Sequence, residues 1–75
     1  MRVRLDRIDA SHKREPLHKP GVKMYREMIR ARKKLPPLCV ERVRRGRYEL
    51  ADGFHRFTAL RAEGRKFADV QVIAY

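Results

Sequence analysis

The hydrophobic pattern of the sequence changes at Asp52-Gly53, and this change restricts the local fold more than any other feature of the chain. Before it, Tyr48 and Leu50 alternate with polar residues, which is the period of a half-buried β-strand. After it, residues between Phe54 and Ala62 supply the apolar content of a helix. Glycine permits backbone conformations and close approaches that other residues do not. The sequence therefore predicts a strand, a tight turn and a helix that opens at Asp52.

The start of this helix carries the residues that predict chemistry. A helix N-terminus presents backbone N–H groups and the positive end of the helix dipole, so it attracts anions. His55 and Arg56 add side-chain donors, and an arginine can hold two phosphate oxygens at once. Cations in a first helical turn cost roughly a few tenths of a kcal/mol, which a bound anion would offset. We therefore predict a phosphate site formed by Asp52, Gly53, His55 and Arg56.

A purely structural role for the same residues stays open. Asp52 can act as the N-cap of the helix by accepting hydrogen bonds from its first N–H groups. Arg56 can pair with a neighbouring carboxylate, either Glu49 or Asp52. In that case the turn would stabilise the fold and bind nothing.

The remainder of the chain predicts an α+β fold with the element order β-α-β-β-α-β. Pro36-Pro37 is expected to end the first helix, and Gly64 is expected to follow the second helix as its C′ glycine. The predicted elements are strand Arg2–Ile8, loop Asp9–Gly21, helix Val22–Lys34, strands Leu38–Arg44 and Tyr48–Ala51, a helix from Asp52, and strand Val70–Tyr75.

The formal net charge of +11 on 75 residues favours a polyanionic partner, although a solvated basic face is the alternative. We expect Phe54, Phe57 and Phe67 to lie in the core, so nucleic acid would be held through its phosphate backbone rather than by base stacking. The residues predicted to contact nucleic acid, DNA before RNA, are His12, Lys13, Arg14, Lys19, Lys33, Lys34, Arg45 and Arg47.

Size and composition exclude several classes of protein. A chain of this length holds one domain, predicted to span residues 1–75. Its single cysteine, Cys39, cannot form an intramolecular disulfide, which fits a reducing compartment. The charged N-terminal residues do not form a signal peptide, and no stretch approaches the roughly 18 apolar residues of a membrane span. These features predict a cytoplasmic protein with no membrane partner.

Metal-dependent chemistry has little support in the sequence. His12 and His18 lack further ligands at a defined spacing, so no metal site is predicted from them. The carboxylates Asp6, Asp9 and Glu15 could join Asp52 in a metal-dependent nuclease site if the fold brought them together. Asp52 is the only candidate for a catalytic role.

The chain resembles the ParB/sulfiredoxin superfamily, and in particular its compact ParB-like nuclease-domain branch with a DGxHR signature. The resemblance covers most of the chain, from the first strand to Val72. The matching residues are Pro36-Pro37-Leu38-Cys39-Val40, Tyr48-Glu49-Leu50-Ala51-Asp52-Gly53-Phe54-His55-Arg56, Ala59 and Gly64.

This resemblance implies a mixed sheet and a GxxR turn that binds phosphates, with Gly53, His55 and Arg56 as the contacting residues. It also implies that a nucleotide triphosphate, ATP or CTP with Mg²⁺, could bind the turn. A nucleotide-dependent phosphotransferase, an NTPase or a nuclease is therefore the alternative to a DNA-binding module.

The sequence departs from the family at two positions. Sulfiredoxin has its reactive cysteine where this chain has Phe54, so the resemblance does not imply sulfinic-acid reductase activity. ParB has glutamate at that position and arginine at the position of His55, which weakens the expectation of metal-assisted hydrolysis. Residues 1–75 also leave no room for the helix-turn-helix and dimerisation parts of ParB, so operator recognition is not expected of this chain.

Overall fold

A computed structural model describes residues 1–10 and 19–73. In these two ranges, no helix has the length and apolar content needed to cross a membrane. The strands and helices are β1 (Arg2–Arg4), β2 (Ile8–Asp9), α1 (Lys19–Arg30), β3 (Leu38–Arg44), β4 (Arg47–Asp52), α2 (Phe54–Ala62) and β5 (Phe67–Ile73).

The five strands form one mixed sheet in the order β1-β5-β3-β4-β2. β5 pairs antiparallel with β1 and parallel with β3, and β4 pairs antiparallel with β3 and parallel with β2. The two helices contact each other. The prediction of a small α+β fold with a mixed sheet is therefore confirmed.

The prediction of one continuous strand from Arg2 to Ile8 was wrong. A single 3-10 turn at Leu5–Arg7 divides the segment into β1 and β2, which lie at opposite ends of the strand order. The four residue steps from Arg4 to Ile8 reach at most about 14 Å, whereas the edges of a flat five-stranded sheet lie about 19 Å apart. The sheet must therefore curl so that its two edges approach each other.

Helix α1 begins and ends earlier than the sequence predicted. It begins at Lys19, with Pro20 in the first turn, where the missing N–H of proline has little cost. At the other end, Arg32 has φ 58°, and the Lys33 N–H donates to the Met28 carbonyl over 2.9 Å. The Arg32 N–H also donates to the Ile29 carbonyl, over 3.0 Å, and the two bonds form the Schellman motif that ends helices.

The prolines at positions 36 and 37 therefore do not end α1, because the Schellman motif ends it first. Lys33 and Lys34 were predicted to lie in the last helical turn, but they follow the helix. At the end of α2 the prediction is confirmed: Gly64 has φ 72°, and the Arg65 N–H donates to the Leu60 carbonyl over 3.0 Å.

Leu38, Val40 and Leu50, from the central strands β3 and β4, are the largest fully buried side chains. Phe57 is buried against them, as predicted. Phe67 was predicted to lie in the core as well, but it is 43% exposed. Burial alternates along β5, with Ala68 and Val70 buried, so Phe67 lies on the opposite face of the strand.

The two helices are joined by charge as well as by packing. The Arg26 and Arg30 guanidinium groups on α1 donate to the carboxylate of Glu63, the C-cap residue of α2, over 2.7 and 2.9 Å. These hydrogen bonds, first that of Arg30 and then that of Arg26, lower the pKa of Glu63 below its ordinary value. Glu63 therefore holds the C-terminal half of α1 against the end of α2.

Candidate functional site

The turn between β4 and α2 forms where the sequence predicted it, but Asp52 belongs to the strand and not to the helix. Asp52 is the last residue of β4, and the N-cap of α2 is Gly53, which has φ 100° and no side chain to accept a hydrogen bond. The first helical bond runs from the Phe57 N–H to the Gly53 carbonyl over 2.8 Å. The predictions that Asp52 opens or caps the helix were therefore wrong.

Glycine is required at position 53 for two separate reasons. Its left-handed φ is strained for any residue with a Cβ. A Cβ built there would also lie 2.8 Å from Leu38 Cδ2 and 2.9 Å from Arg56 Nη2. The guanidinium group of Arg56 therefore folds back over the Cα of Gly53, in space that a larger residue would occupy.

The side chain of Arg56 is largely buried, and its charge is only partly compensated by a carboxylate. Its side chain is 12% exposed, and its Nη2 atom lies 3.8 Å from Asp52 Oδ2, which is longer than a hydrogen bond. Asp52 itself is 77% exposed. The ion pair that the sequence left open is therefore present with Asp52, but in a loose geometry without a hydrogen bond.

The residues of the turn surround a cavity of about 420 Å³. Its lining consists of Tyr25 from α1 together with Asp52, Gly53, Phe54, His55 and Arg56. The structure thus brings together all four residues of the predicted phosphate site. Tyr25 was not among the predicted site residues, because nothing local in the sequence shows that α1 passes this turn.

The electrostatics of the turn favour an anion. The first turn of α2 contains no acidic residue, and it carries His55 and Arg56 beside the positive end of the helix dipole. His55 is half-buried and already makes a contact of its own. Arg56 is therefore the side chain of the turn best placed to receive a phosphate oxygen.

The described cations among those predicted to contact nucleic acid lie on several different elements. Lys19 lies at the start of α1, whereas Lys33 and Lys34 follow its end. Arg45 is in the β3–β4 turn, and Arg47 donates to the Asp6 carbonyl over 3.3 Å beside that turn. His12, Lys13 and Arg14 lie outside the described residues.

The acidic residues that the sequence offered for a metal-dependent site are also dispersed. Asp6 and Asp9 line a cavity at the edge formed by β2 and β4, whereas Asp52 lines the cavity of the turn. Glu15 and the histidines at positions 12 and 18 lie outside the described residues. Across residues 1–10 and 19–73, no three His, Cys, Asp or Glu residues group as metal ligands would.

Comparison with known families agrees with this fold. The family model described as the ParB N-terminal domain matches residues 1–74. The chain belongs to the ParB N-terminal domain family. No curated protein matches the sequence.

Solved structures of the same fold include a sulfiredoxin, a serine kinase and a ParB protein. Sulfiredoxin from Arabidopsis thaliana superposes with a TM-score of 0.85 at 22% identity, over 100% of this chain and 84% of that one. A free serine kinase in complex with ADP has a TM-score of 0.82 at 21% identity, over 100% of this chain and 31% of the kinase.

ParB from Caulobacter crescentus complexed with CTP-γ-S has a TM-score of 0.80 at 18% identity, over 100% of this chain and 44% of that ParB. The same ParB complexed to the centromeric parS site has a TM-score of 0.81, also at 18% identity, over 97% of this chain and 40% of that ParB. The chain thus spans less than half of the ParB and kinase structures. At these identities the similarity shows the fold alone.

Proposed function

We propose that this chain is a nucleic-acid-binding module, for DNA before RNA, that holds phosphates at the turn from Asp52 to Arg56 and along its basic surface. The observation that carries the proposal is the placement of Arg56. Its guanidinium group is packed over Gly53 at the N-terminus of α2, and its one charged contact within residues 1–10 and 19–73 is a loose ion pair with exposed Asp52.

Two further observations support the proposal. The net charge of +11 would attract a polyanion to the surface of the molecule. ParB from Caulobacter crescentus, which has the same fold, has been crystallised on a DNA site. Because the cations within residues 1–10 and 19–73 are spread over several elements, we expect contacts with the phosphate backbone to dominate over base-specific contacts.

The test is a titration of labelled duplex DNA with the protein at several salt concentrations, followed by fluorescence anisotropy. Binding through phosphates releases counterions, so the logarithm of the affinity should fall linearly with the logarithm of the salt concentration. A slope of several units is expected. An absence of binding at low salt would contradict the proposal.

A second candidate is nucleotide binding at the same turn, with or without turnover. Neighbours of the same fold have been solved with CTP-γ-S and with ADP. Mg²⁺ is commonly held by one or two carboxylates together with the nucleotide phosphates. The exposed carboxylate of Asp52 beside Arg56 fits that arrangement.

Calorimetric titration with ATP and CTP, each with and without Mg²⁺, tests binding, and release of inorganic phosphate tests turnover. Turnover lost in Asp52→Asn would favour an enzyme. Nucleotide binding that survives this substitution, without any phosphate release, would favour a binding module.

A further inference from the structure

A second cavity, of about 630 Å³, lies between the end of α1 and the β1–β5 edge of the sheet, and we refer to it as the basic cleft. Asp69 is its one acidic lining residue within the described chain, and it is opposed by five cations. Such an excess of positive charge attracts a polyanion. The cations that line the basic cleft are Arg2, Arg32, Lys33, Lys34 and Arg65.

The basic cleft also contains an aromatic surface that is accessible to a ligand. Phe67 lines it and is 43% exposed, and the guanidinium carbon of Arg2 lies 4.7 Å from the centre of its ring. Aromatic rings and arginine planes are the two surfaces on which unpaired bases stack. The sequence placed Phe67 in the core, so this surface became visible only in the structure.

One residue of the basic cleft, Arg32, has a strained backbone conformation. Arg32 is the one non-glycine residue with positive φ in the part of the chain that the structure describes, and glycine is the usual residue at this position of a helix end. A residue retained in a strained conformation points to a role other than stability. At Arg32 the strain places one more cation at the basic cleft.

We propose that the basic cleft binds single-stranded nucleic acid, with one unpaired base stacked on Phe67 or Arg2 and the flanking phosphates held by the cations. This inference rests on the proposed nucleic-acid binding and specifies the state of the strand. The ring faces of duplex bases are covered by their neighbours, whereas an unpaired base can turn out and stack. The volume of the cleft is that of a small-ligand site, which fits one nucleotide rather than a duplex.

The experiment compares labelled single-stranded DNA of mixed sequence with the duplex of the same sequence, by anisotropy at one low salt concentration. Phe67→Leu keeps an apolar side chain but loses the ring, and we expect it to weaken single-strand binding about tenfold. Duplex binding should change little. Val43→Ala alters another exposed apolar residue and should leave both affinities unchanged.

A second arm tests the charges of the basic cleft. Lys34→Gln should reduce the salt dependence of single-strand binding by a slope of about 0.7, the contribution of one phosphate contact. Lys23→Gln is the matched control, because Lys23 is an exposed residue of α1 that does not line the basic cleft. Its salt slope should equal that of the unaltered protein.

Phe67→Tyr keeps a ring and should bind the single strand as the unaltered protein does, which separates stacking from a loss of folding. If Phe67→Leu leaves single-strand affinity unchanged, or if Phe67→Tyr weakens it as much as Phe67→Leu, the basic cleft is not the stacking site. The proposed function would still stand if Arg56→Lys weakened binding in the same assay. Absence of binding to either DNA at low salt would overturn both proposals.

Discussion

Two of the left-handed positions beside the helices, Gly53 and Arg32, differ in why the chain carries the residue it does. At the start of α2 the chain uses glycine, and the space of the missing Cβ is filled by Leu38 and Arg56. At the end of α1 the chain uses arginine, although its φ of 58° is one that glycine adopts at no steric cost. Packing therefore determines the residue type at position 53, but it does not determine the residue type at position 32.

The difference indicates what each position does for the protein. Gly53 allows a cation to lie close against the backbone, which fixes that cation at one place in the turn. Arg32 presents a cation on a long side chain at the surface, where packing does not fix it. If both proposals hold, the turn is the rigid anion site of the molecule, and the basic cleft is the adaptable one.

The largest expected effect is that of Gly53→Ala. The new Cβ would be strained at φ 100° and would lie 2.8 Å from Cδ2 of the buried Leu38. Left-handed strain of about 1–2 kcal/mol and overpacking of about 1–3 kcal/mol predict a loss of roughly 2–5 kcal/mol in the free energy of unfolding. For a domain of this size, thermal unfolding should shift down by about 10 °C or more.

Gly46→Ala is the matched control for this prediction. Gly46 also has positive φ, but nothing lies within 4 Å of a Cβ built there. Gly46→Ala should therefore lower the free energy of unfolding by about 1–2 kcal/mol, from backbone strain alone. Equal losses at positions 46 and 53 would show that Leu38 and Arg56 do not close the space around Gly53.

A smaller change of the opposite sign is expected for Arg32→Gly. Relief of the left-handed strain outweighs the greater conformational freedom of glycine in the unfolded chain, so the free energy of unfolding should stay equal or rise by up to about 1 kcal/mol. Met24→Gly, in the interior of α1, should instead lower the free energy of unfolding by about 1 kcal/mol. A clear loss of stability in Arg32→Gly, measured by chemical denaturation, would mean that the arginine is structural and would remove the contrast with Gly53.

The smallest effect is the pH dependence contributed by Glu63. The Arg30 and Arg26 hydrogen bonds lower its pKa in the folded protein below the ordinary value of 4.5. The stability that it contributes is therefore present above pH 4.5 and is lost as the pH falls through the lowered value. Glu63→Gln should melt below the unaltered protein at pH 7, and the difference should close in acid. A difference that stays constant down to low pH would show that ion pairing does not hold α1 to α2.

The turn could be predicted from the sequence because it is local. The strand, the glycine and the helix follow one another between Tyr48 and Leu60, so periodicity and one backbone requirement were sufficient. The packing of Arg56 could not be predicted, since it depends on Leu38 from another strand. From the sequence, Arg56→Ala would relieve a dipole repulsion and leave the melting temperature equal or higher. The structure adds the loss of a side chain that is only 12% exposed, which opposes that gain.

Other features depend on distant parts of the chain and could not be found from local patterns. The division of β1 from β2 follows from the curling of the whole sheet, because the two strands pair with β5 and β4 at opposite edges. The basic cleft combines Arg2, the segment after α1 and the start of β5, which no spacing rule brings together. Phe67 was misplaced because its neighbours Ala68 and Val70, not Phe67 itself, face the core.

The measurement that tests the central claim most directly is DNA binding by Arg56→Lys beside Arg61→Lys. Both substitutions lie in α2 and keep the charge, but only Arg56 lies in the turn, while Arg61 is an exposed residue of the last helical turn. Lysine cannot form the two-pronged phosphate contact of arginine, so Arg56→Lys should weaken binding about tenfold at constant salt. Arg61→Lys should bind as the unaltered protein does. If the two variants bind DNA equally well, the turn is not the phosphate site.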